Sequence, residues 1–295
     1  MSRPVFRFAP SPNGRLHLGH AYSALLNERM ARESGGRFLL RIEDIDRPRC
    51  TEALTQALLA DLAWLGLAWE EPVLRQSAFL ADYHDAQRRL RDMGLLYPCF
   101  CSRRDIALAA GRTVARDPEG QPLYPGTCRR LSGAERSRRI GQAEPHAWRI
   151  AMDDAVTRIG EPLSFVEESS GMPVREPVHA EAWGDVVLAR KDIGTSYHIA
   201  VIVDDARQDV TQVVRGRDLF HATSIHLVLQ HLLRLPTPRY FHHALVDDTE
   251  GRKLSKRLGS KSLADLRDEG VTAEDVRRVL GFPPAHRHPR ESRDP

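Results

Sequence analysis

Between Val5 and Leu65 the hydrophobic period changes with every segment, and that alternation restricts the fold more than any other feature of the chain. Val5 to Ala9 is a short apolar-alternating run stopped by Pro10-Ser11-Pro12-Asn13-Gly14, which predicts a strand ended by a turn. Ala21, Leu25, Leu26 and Met30 recur at helical spacing across Leu18 to Glu33, and Gly35-Gly36 stops that run. Arg37 to Ile42 reads as a buried strand. Glu52 to Leu65 reads as an amphipathic helix, with Thr51 as N-cap and Gly66 near its end. Strand, helix, strand, helix in this order predicts an α/β, doubly wound, Rossmann-like domain, whose ligands bind at the C-terminal ends of the strands. Ala9 to His20 falls at that end.

From Pro98 to Glu181 the pattern gives way to short segments broken by Pro and Gly. The α/β signal then returns: Asp185–Leu188, Ile199–Val203 and Val210–Val214 are β-rich, and Thr223–Leu233 is a helical run. The expectation is a discontinuous catalytic domain, 1–97 with 182–282, interrupted by an insertion at 98–181 and followed by a disordered tail at 283–295. At 295 residues and 41% hydrophobic side chains the chain can bury its cores without staples. Four cysteines are too few for a disulfide scaffold, and no signal peptide or long apolar run opens the chain. A cytoplasmic protein with no membrane association is therefore expected. The net charge is only +3, yet residues 102–140 hold nine arginines against four acids. Such a surplus suits a phosphate backbone, although a solvated charged helix face produces the same count.

Two motifs carry phosphate chemistry. The string Pro10-Ser11-Pro12-Asn13-Gly14-Arg15-Leu16-His17-Leu18-Gly19-His20 places two histidines three apart at a helix N-terminus, beside backbone N–H groups with no partner in the helix. That is an anion site. The second motif, Lys253-Leu254-Ser255-Lys256-Arg257, follows Gly251 and offers three cations and a hydroxyl to a triphosphate and its leaving pyrophosphate. A lone histidine or a lone basic loop is usually structural or solvated. The first string, however, resembles the HIGH signature of class I aminoacyl-tRNA synthetases in its glutamyl-branch form, and the second resembles their KMSKS loop. The resemblance covers Arg7 to about Arg257.

An acidic amino acid needs a carboxylate for its amine and a guanidinium for its side chain. Arg7 and Ser11 flank the first strand end, Arg41-Ile42-Glu43-Asp44 closes the second, and Tyr197 and Arg215 punctuate the returning half. Singly, each could be a structural ion-pair member. The blocks around them look like those lining the glutamate pocket of the glutamyl branch, which implies Arg7, Ser11, Glu43, Tyr197 and Arg215 as glutamate-binding residues and His17, Gly19, His20, Lys253, Ser255 and Lys256 as the ATP site. Lys191-Asp192-Ile193-Gly194, just before Tyr197, departs from the familiar pattern.

Cys99, Cys101 and Cys128 fall within the expected insertion, with Tyr124 four residues before the last. Three thiols lack one ligand of a tetrahedral zinc site, although buried inert thiols also occur. The Cys-x-Cys…Tyr-x-x-x-Cys pattern resembles the glutamyl-queuosine subfamily, which implies one structural zinc on Cys99, Cys101, Tyr124 and Cys128; water or His146 could take the place of the tyrosine. Cys50 reads as a small hydrophobe, and Trp64, Trp69, Trp148 and Trp183 as packing residues.

The sequence ends at Pro295, too soon after Arg257 for an anticodon-reading domain of usual size. What the resemblance then implies is a monomeric class I synthetase catalytic domain with a zinc-containing stem-contact insertion. It would use ATP with Mg²⁺ to activate L-glutamate and pass it to queuosine in the anticodon arm of tRNA(Asp). The alternatives are a truncated enzyme charging the tRNA 3′ end, a ligase acting on a small-molecule amine, and a non-catalytic zinc and RNA-binding relative.

Overall fold

The computed structural model describes residues 3–111, 115–246 and 261–284. Its contacts group the chain into two compact units, residues 1–74 with 243–295 and residues 75–242.

In the first unit, β1 (Val5–Phe8), α1 (Leu18–Glu33), β2 (Arg37–Ile42), α2 (Glu52–Trp64) and β3 (Glu70–Arg75) follow one another with the strand order β3-β2-β1. β1 and β2 are parallel, with Val5 opposite Arg37 and Phe8 opposite Leu40. Every residue of β1, and all but the first of β2, is buried, the continuous burial expected of a parallel strand covered on both faces. α1 packs on both strands, and Ala21, Ala24 and Leu25 are among its buried residues. Each large apolar side chain buried here contributes about 1.5–3 kcal/mol. Thr51 caps α2 by accepting from the Leu54 amide at 3.3 Å, and Gly66 follows in the left-handed region at φ 76°.

The second unit opens with α3 (Leu80–Asp92), β4 (Leu96–Cys99), α4 (Arg103–Ala110) and α5 (Gly133–Gly141). Next come β5 (Ala147–Ile150), α6 (Met152–Ile159), β6 (Ser164–Glu167), β7 (Val174–Pro177) and β8 (Val187–Ala189). α7 (Tyr197–Arg207), β9 (Gln212–Gly216), α8 (Thr223–Leu233) and β10 (Arg239–His243) close it. β4, β5 and β8 form a small antiparallel sheet, β5 pairing with both neighbours. The other strands run in the order β9-β10-β6-β7; β6 pairs in parallel with β10 at Glu167 and Tyr240, and antiparallel with β7. The chain then returns to the first unit as α9 (Leu263–Asp268) and α10 (Ala273–Val279).

Two sequence expectations change. Ile199–Val203, expected as β-rich, is the buried middle of helix α7. Ser164–Glu167, expected inside an insertion at 98–181, is strand β6, paired with β10 from the returning segment. Pro283 and Pro284 are described, whereas 285–295 lie outside the described residues. Among the described residues, no helix is long and apolar enough to cross a membrane.

Candidate functional site

In the first unit the loop after β1 delivers His17 as the N-cap of α1. The His17 backbone N–H donates to His20 Nδ1 at 3.2 Å, and the Gly19 N–H donates to His17 Nδ1 at 3.1 Å. Each imidazole thus accepts at Nδ1, so a neutral ring carries its proton on Nε2. Burial lowers the His17 pKa; burial, with the adjacent His17 adding to it, brings His20 down to about 4. Near neutral pH the pair is therefore two uncharged N–H donors, tilted with centroids 3.9 Å apart. Gly19 permits the arrangement, because a Cβ there would stand 3.0 Å from His17 Cε1.

The same loop is tied to the last part of the chain. Leu16 O accepts from the Leu263 N–H at 2.8 Å, and His17 forms a β-bridge with Ser262, the N-cap of α9. Lys253, Leu254, Ser255, Lys256 and Arg257 lie outside the described residues.

Arg7 is buried in β1, and the Glu43 amide donates to Pro10 O at 3.0 Å, bringing the end of β2 to the Pro-rich turn. Arg41, fully buried, stands 3.6 Å from Glu43 Oε1. Ser11 Oγ lies 3.6 Å from Cys50 Sγ, which in turn is 3.9 Å from Glu43 O. Cys50, read from sequence as a small hydrophobe, therefore sits between two polar groups of this loop cluster.

In the second unit Arg215 on β9 is buried and spends all five of its N–H groups on protein acceptors. Nε donates to His242 Nε2 at 3.1 Å; one terminal nitrogen reaches Tyr197 Oη at 3.2 Å and His226 Nδ1 at 3.4 Å; the other reaches Leu219 O at 3.2 Å and Thr223 Oγ1 at 2.8 Å. These donations fix the protons beyond it. His242, accepting at Nε2, gives its Nδ1–H to Glu167 at 2.6 Å. His226, accepting at Nδ1, gives its Nε2–H to His198 Nδ1 at 3.2 Å. Burial, reinforced by the charge of Arg215, lowers His198 to about 4, so it stays neutral. Sequence reading singled out Tyr197 and Arg215 but not Glu167, His198, Thr223, His226 or His242. Clustered histidines in the returning half were the available sign.

The thiols of Cys99, Cys101 and Cys128 lie within 4.8 Å of one another. Cys101 Sγ is 3.5 Å from Cys128 Sγ and 3.6 Å from Tyr124 Oη, while the Phe100 N–H donates to Cys128 Sγ at 3.3 Å. Three soft sulfurs and an oxygen in one small pocket suit a tetrahedral ion such as zinc, and the backbone N–H favours a thiolate. His146 is not in this group; its Nδ1 faces Glu144 O at 2.9 Å. Of the four tryptophans, Arg267 lies over Trp64 and Arg91 over Trp148, while the Trp69 and Trp183 N–H groups donate to Glu71 and to His221 O.

The arginine surplus is partly consumed within the unit. Arg129 pairs with Asp153, Asp154 and Asp185, Arg138 with Glu135, and Arg139 with Glu144 while lying 4.0 Å over the Phe100 ring. Arg103 and Arg104 on α4 are exposed.

Residues 5–286 match the catalytic-domain family of the class I tRNA synthetases (E and Q). The chain belongs to the class I tRNA synthetases. As a class I synthetase it is a ligase. It is 50% identical over 282 residues to a glutamyl-Q tRNA(Asp) synthetase of Rhodobacter capsulatus, covering 94% of this chain and 100% of that protein. A protein of the same name from Nocardia farcinica is 45% identical, over 97% of this chain and 86% of its own. A crystal structure of a glutamate tRNA ligase from Elizabethkingia meningosepticum superposes with a TM-score of 0.72 at 26% identity, over 88% of this synthetase and 53% of that one.

Proposed function

We propose that this synthetase activates L-glutamate with Mg-ATP as glutamyl adenylate and transfers the glutamyl group to queuosine at the wobble position of tRNA(Asp). The observation that carries the reading is the 50% identity to the glutamyl-Q tRNA(Asp) synthetase of R. capsulatus over the whole of that protein. The gathered Cys99, Cys101, Tyr124 and Cys128 side chains support it, being the donor set of that subfamily's sequence pattern.

The residues take complementary roles. The glutamate α-carboxylate attacks the α-phosphorus of ATP, and pyrophosphate leaves. His17 and His20, as neutral Nε2–H donors at the α1 N-terminus, stabilise the charge that grows on the phosphate oxygens. Lys253 and Lys256 are assigned to the departing pyrophosphate, with Ser255 beside them. Arg7, Ser11 and Glu43 are assigned to glutamate, Glu43 as the partner of its ammonium; Arg215 and Tyr197 are assigned to its side-chain carboxylate. In the second step a hydroxyl of the queuosine ring attacks the activated carbonyl and AMP leaves. Zinc, as the ion on the three thiols and Tyr124, would fix the polypeptide locally and takes no part in either step. The protein is proposed to act as a cytoplasmic monomer.

The test is labelled glutamate transfer to queuosine-containing tRNA(Asp) whose 3′ terminal nucleotides have been removed. Transfer should persist there and vanish when queuosine is absent. Transfer that depends on the terminal adenosine of tRNA(Glu) would overturn the reading in favour of 3′-end charging.

A further inference from the structure

A second concave site lies entirely within the second unit, between β6, the C-terminal end of α8 and the turn leading to β10. It has a volume of about 410 Å³, within the roughly 300–1,000 Å³ usual for small-ligand sites. Its wall combines Arg175, Arg234 and Arg239 with apolar surface from Phe165 and Leu227, and contains no carboxylate. Arg239 is held by Glu168 at 2.6 Å, and Arg175 donates to Ser164 Oγ at 3.3 Å.

Two observations set this cavity apart from an accidental surface cleft. Gln230, 1% exposed, lines it, and its buried Oε1 has no hydrogen-bond partner. A buried amide oxygen left in that state costs about 1–3 kcal/mol, which a ligand N–H would recover once the Gln230 amide turns toward the cavity it lines. Arg234 caps α8 in the left-handed region, φ 54° and ψ 43°, where glycine is the inexpensive residue and any L side chain costs about 1 kcal/mol or more. The chain thus carries a strained arginine, exposed at the rim of the cavity.

We propose that this cavity accepts one nucleotide of the bound tRNA, its phosphate against Arg175 and Arg234 and its base against the apolar wall, with an N–H of the base edge donating to Gln230 Oε1. The inference rests on the proposed RNA substrate. A nucleotide combines the three features the wall asks for: an anion, a flat apolar face and a hydrogen-bond donor. The C-terminal end of α8 is the negative end of its dipole and disfavours an anion, a cost reduced where Gln230 O and His231 O accept from the Leu235 and Arg234 amides and outweighed by the charges of Arg175 and Arg234.

Binding of unmodified tRNA(Asp) and tRNA(Glu) transcripts to the full chain tests this, using R234G, the double variant R175A/R234G, and Q230L. R234G relieves backbone strain, so its thermal stability should equal or exceed that of the parent, and weaker binding cannot be ascribed to misfolding. Each lost arginine should weaken binding about threefold to tenfold and lower the salt slope by roughly one, whereas Q230L should weaken binding with the slope unchanged. Glutamate-dependent pyrophosphate exchange without tRNA should be normal in all three. Unchanged affinity and slope for whichever transcript the parent binds, or binding of neither transcript by the parent, would overturn the proposal. The acceptor assay with queuosine tRNA reads the enzymatic assignment separately, so the two can fail independently.

Discussion

Glu167 and His242 share a 2.6 Å hydrogen bond that joins a buried carboxylate, through one imidazole, to the guanidinium of Arg215. Burial pushes the Glu167 carboxyl up, but the His242 ring, the His242 amide and the Ser169 amide together outweigh it and hold the pKa at about 2, below the ordinary 4.5.

Because the folded carboxyl titrates below the unfolded one, the unfolded chain binds the extra proton between pH 4.5 and 2, and acid lowers stability across that window. Glu167→Gln removes this contribution. Chemical denaturation at pH 7 should show the variant less stable by about 1–3 kcal/mol. The gap should narrow steadily as pH falls from 4.5 toward 2. A gap that stays constant across that range would show that the carboxylate charge is not what Arg215 and His242 use.

The capping pair at α1 gives an expectation for catalysis. With its pKa near 4, the His20 ring stays neutral between pH 6 and 8, so pyrophosphate exchange should show no acid limb from His20 in that range; burial lowers His17 from the ordinary 6.5 as well. His20→Ala should lower exchange about a hundredfold to a thousandfold, the usual effect of losing one oriented donor, and His20→Asn should restore part of it through its amide N–H. An acid limb near pH 6.5 that disappears in His20→Ala would mean the ring works as a cation. For stability the sign is the same as for Glu167: the lowered histidine pKa favours proton binding by the unfolded chain, so this contribution is complete above about 6.5 and is lost as pH falls toward 4.

Gly19→Ala sets two effects against each other. Alanine gains about 1 kcal/mol in a helix relative to glycine, whereas its Cβ would meet His17 Cε1 at 3.0 Å and Nδ1 at 3.2 Å. The melting temperature should change little while exchange activity falls at least tenfold. A variant with full activity would show that the placement of His17 tolerates a shift of a few tenths of an ångström.

Metal analysis of the purified protein should find about one zinc per chain, as one tetrahedral site holds one ion. Cys101→Ser should lose the ion and destabilise the second unit, and Tyr124→Phe should release it to a chelator at least tenfold faster. Metal-free protein with unchanged melting temperature would return the three cysteines to ordinary buried thiols.

Local signals were legible in the sequence where local physics decides the structure. The end of β1, the start of α1 at Leu18 and the Thr51 cap are each set by residues within a few positions of one another. Ile199-Ala200-Val201-Ile202 was misread because a helix buried on all sides presents the same unbroken apolar run as a buried strand. Asp204, whose carboxylate takes the Tyr83 hydroxyl and Gln76 amide from far along the chain, lies in the same helix and gives no local sign of it. The partners of Arg215 were missed for a related reason. Glu167 and His242 are 75 positions apart and meet only because β6 pairs with β10, a long-range choice that no spacing in the sequence encodes. The arginine excess in 102–140 overstated the free positive charge, since Asp153, Asp154, Glu144 and Asp185, all outside that window, neutralise part of it.

Arg215 has a consequence for selectivity that follows from its five occupied N–H groups. A ligand reaching this guanidinium enters no waiting vacancy; it must win an exchange against acceptors the protein already supplies. On the proposed assignment to the glutamate side chain, the contacts it would displace are those made by one nitrogen to Tyr197 Oη at 3.2 Å and His226 Nδ1 at 3.4 Å. A carboxylate, charged and a stronger acceptor than a phenol or an imidazole, can win that exchange. The amide oxygen of an uncharged isostere gains too little over the resident acceptors to do so. On that assignment of Arg215, Tyr197 and His226 are attached competitors that a neutral ligand would fail to displace.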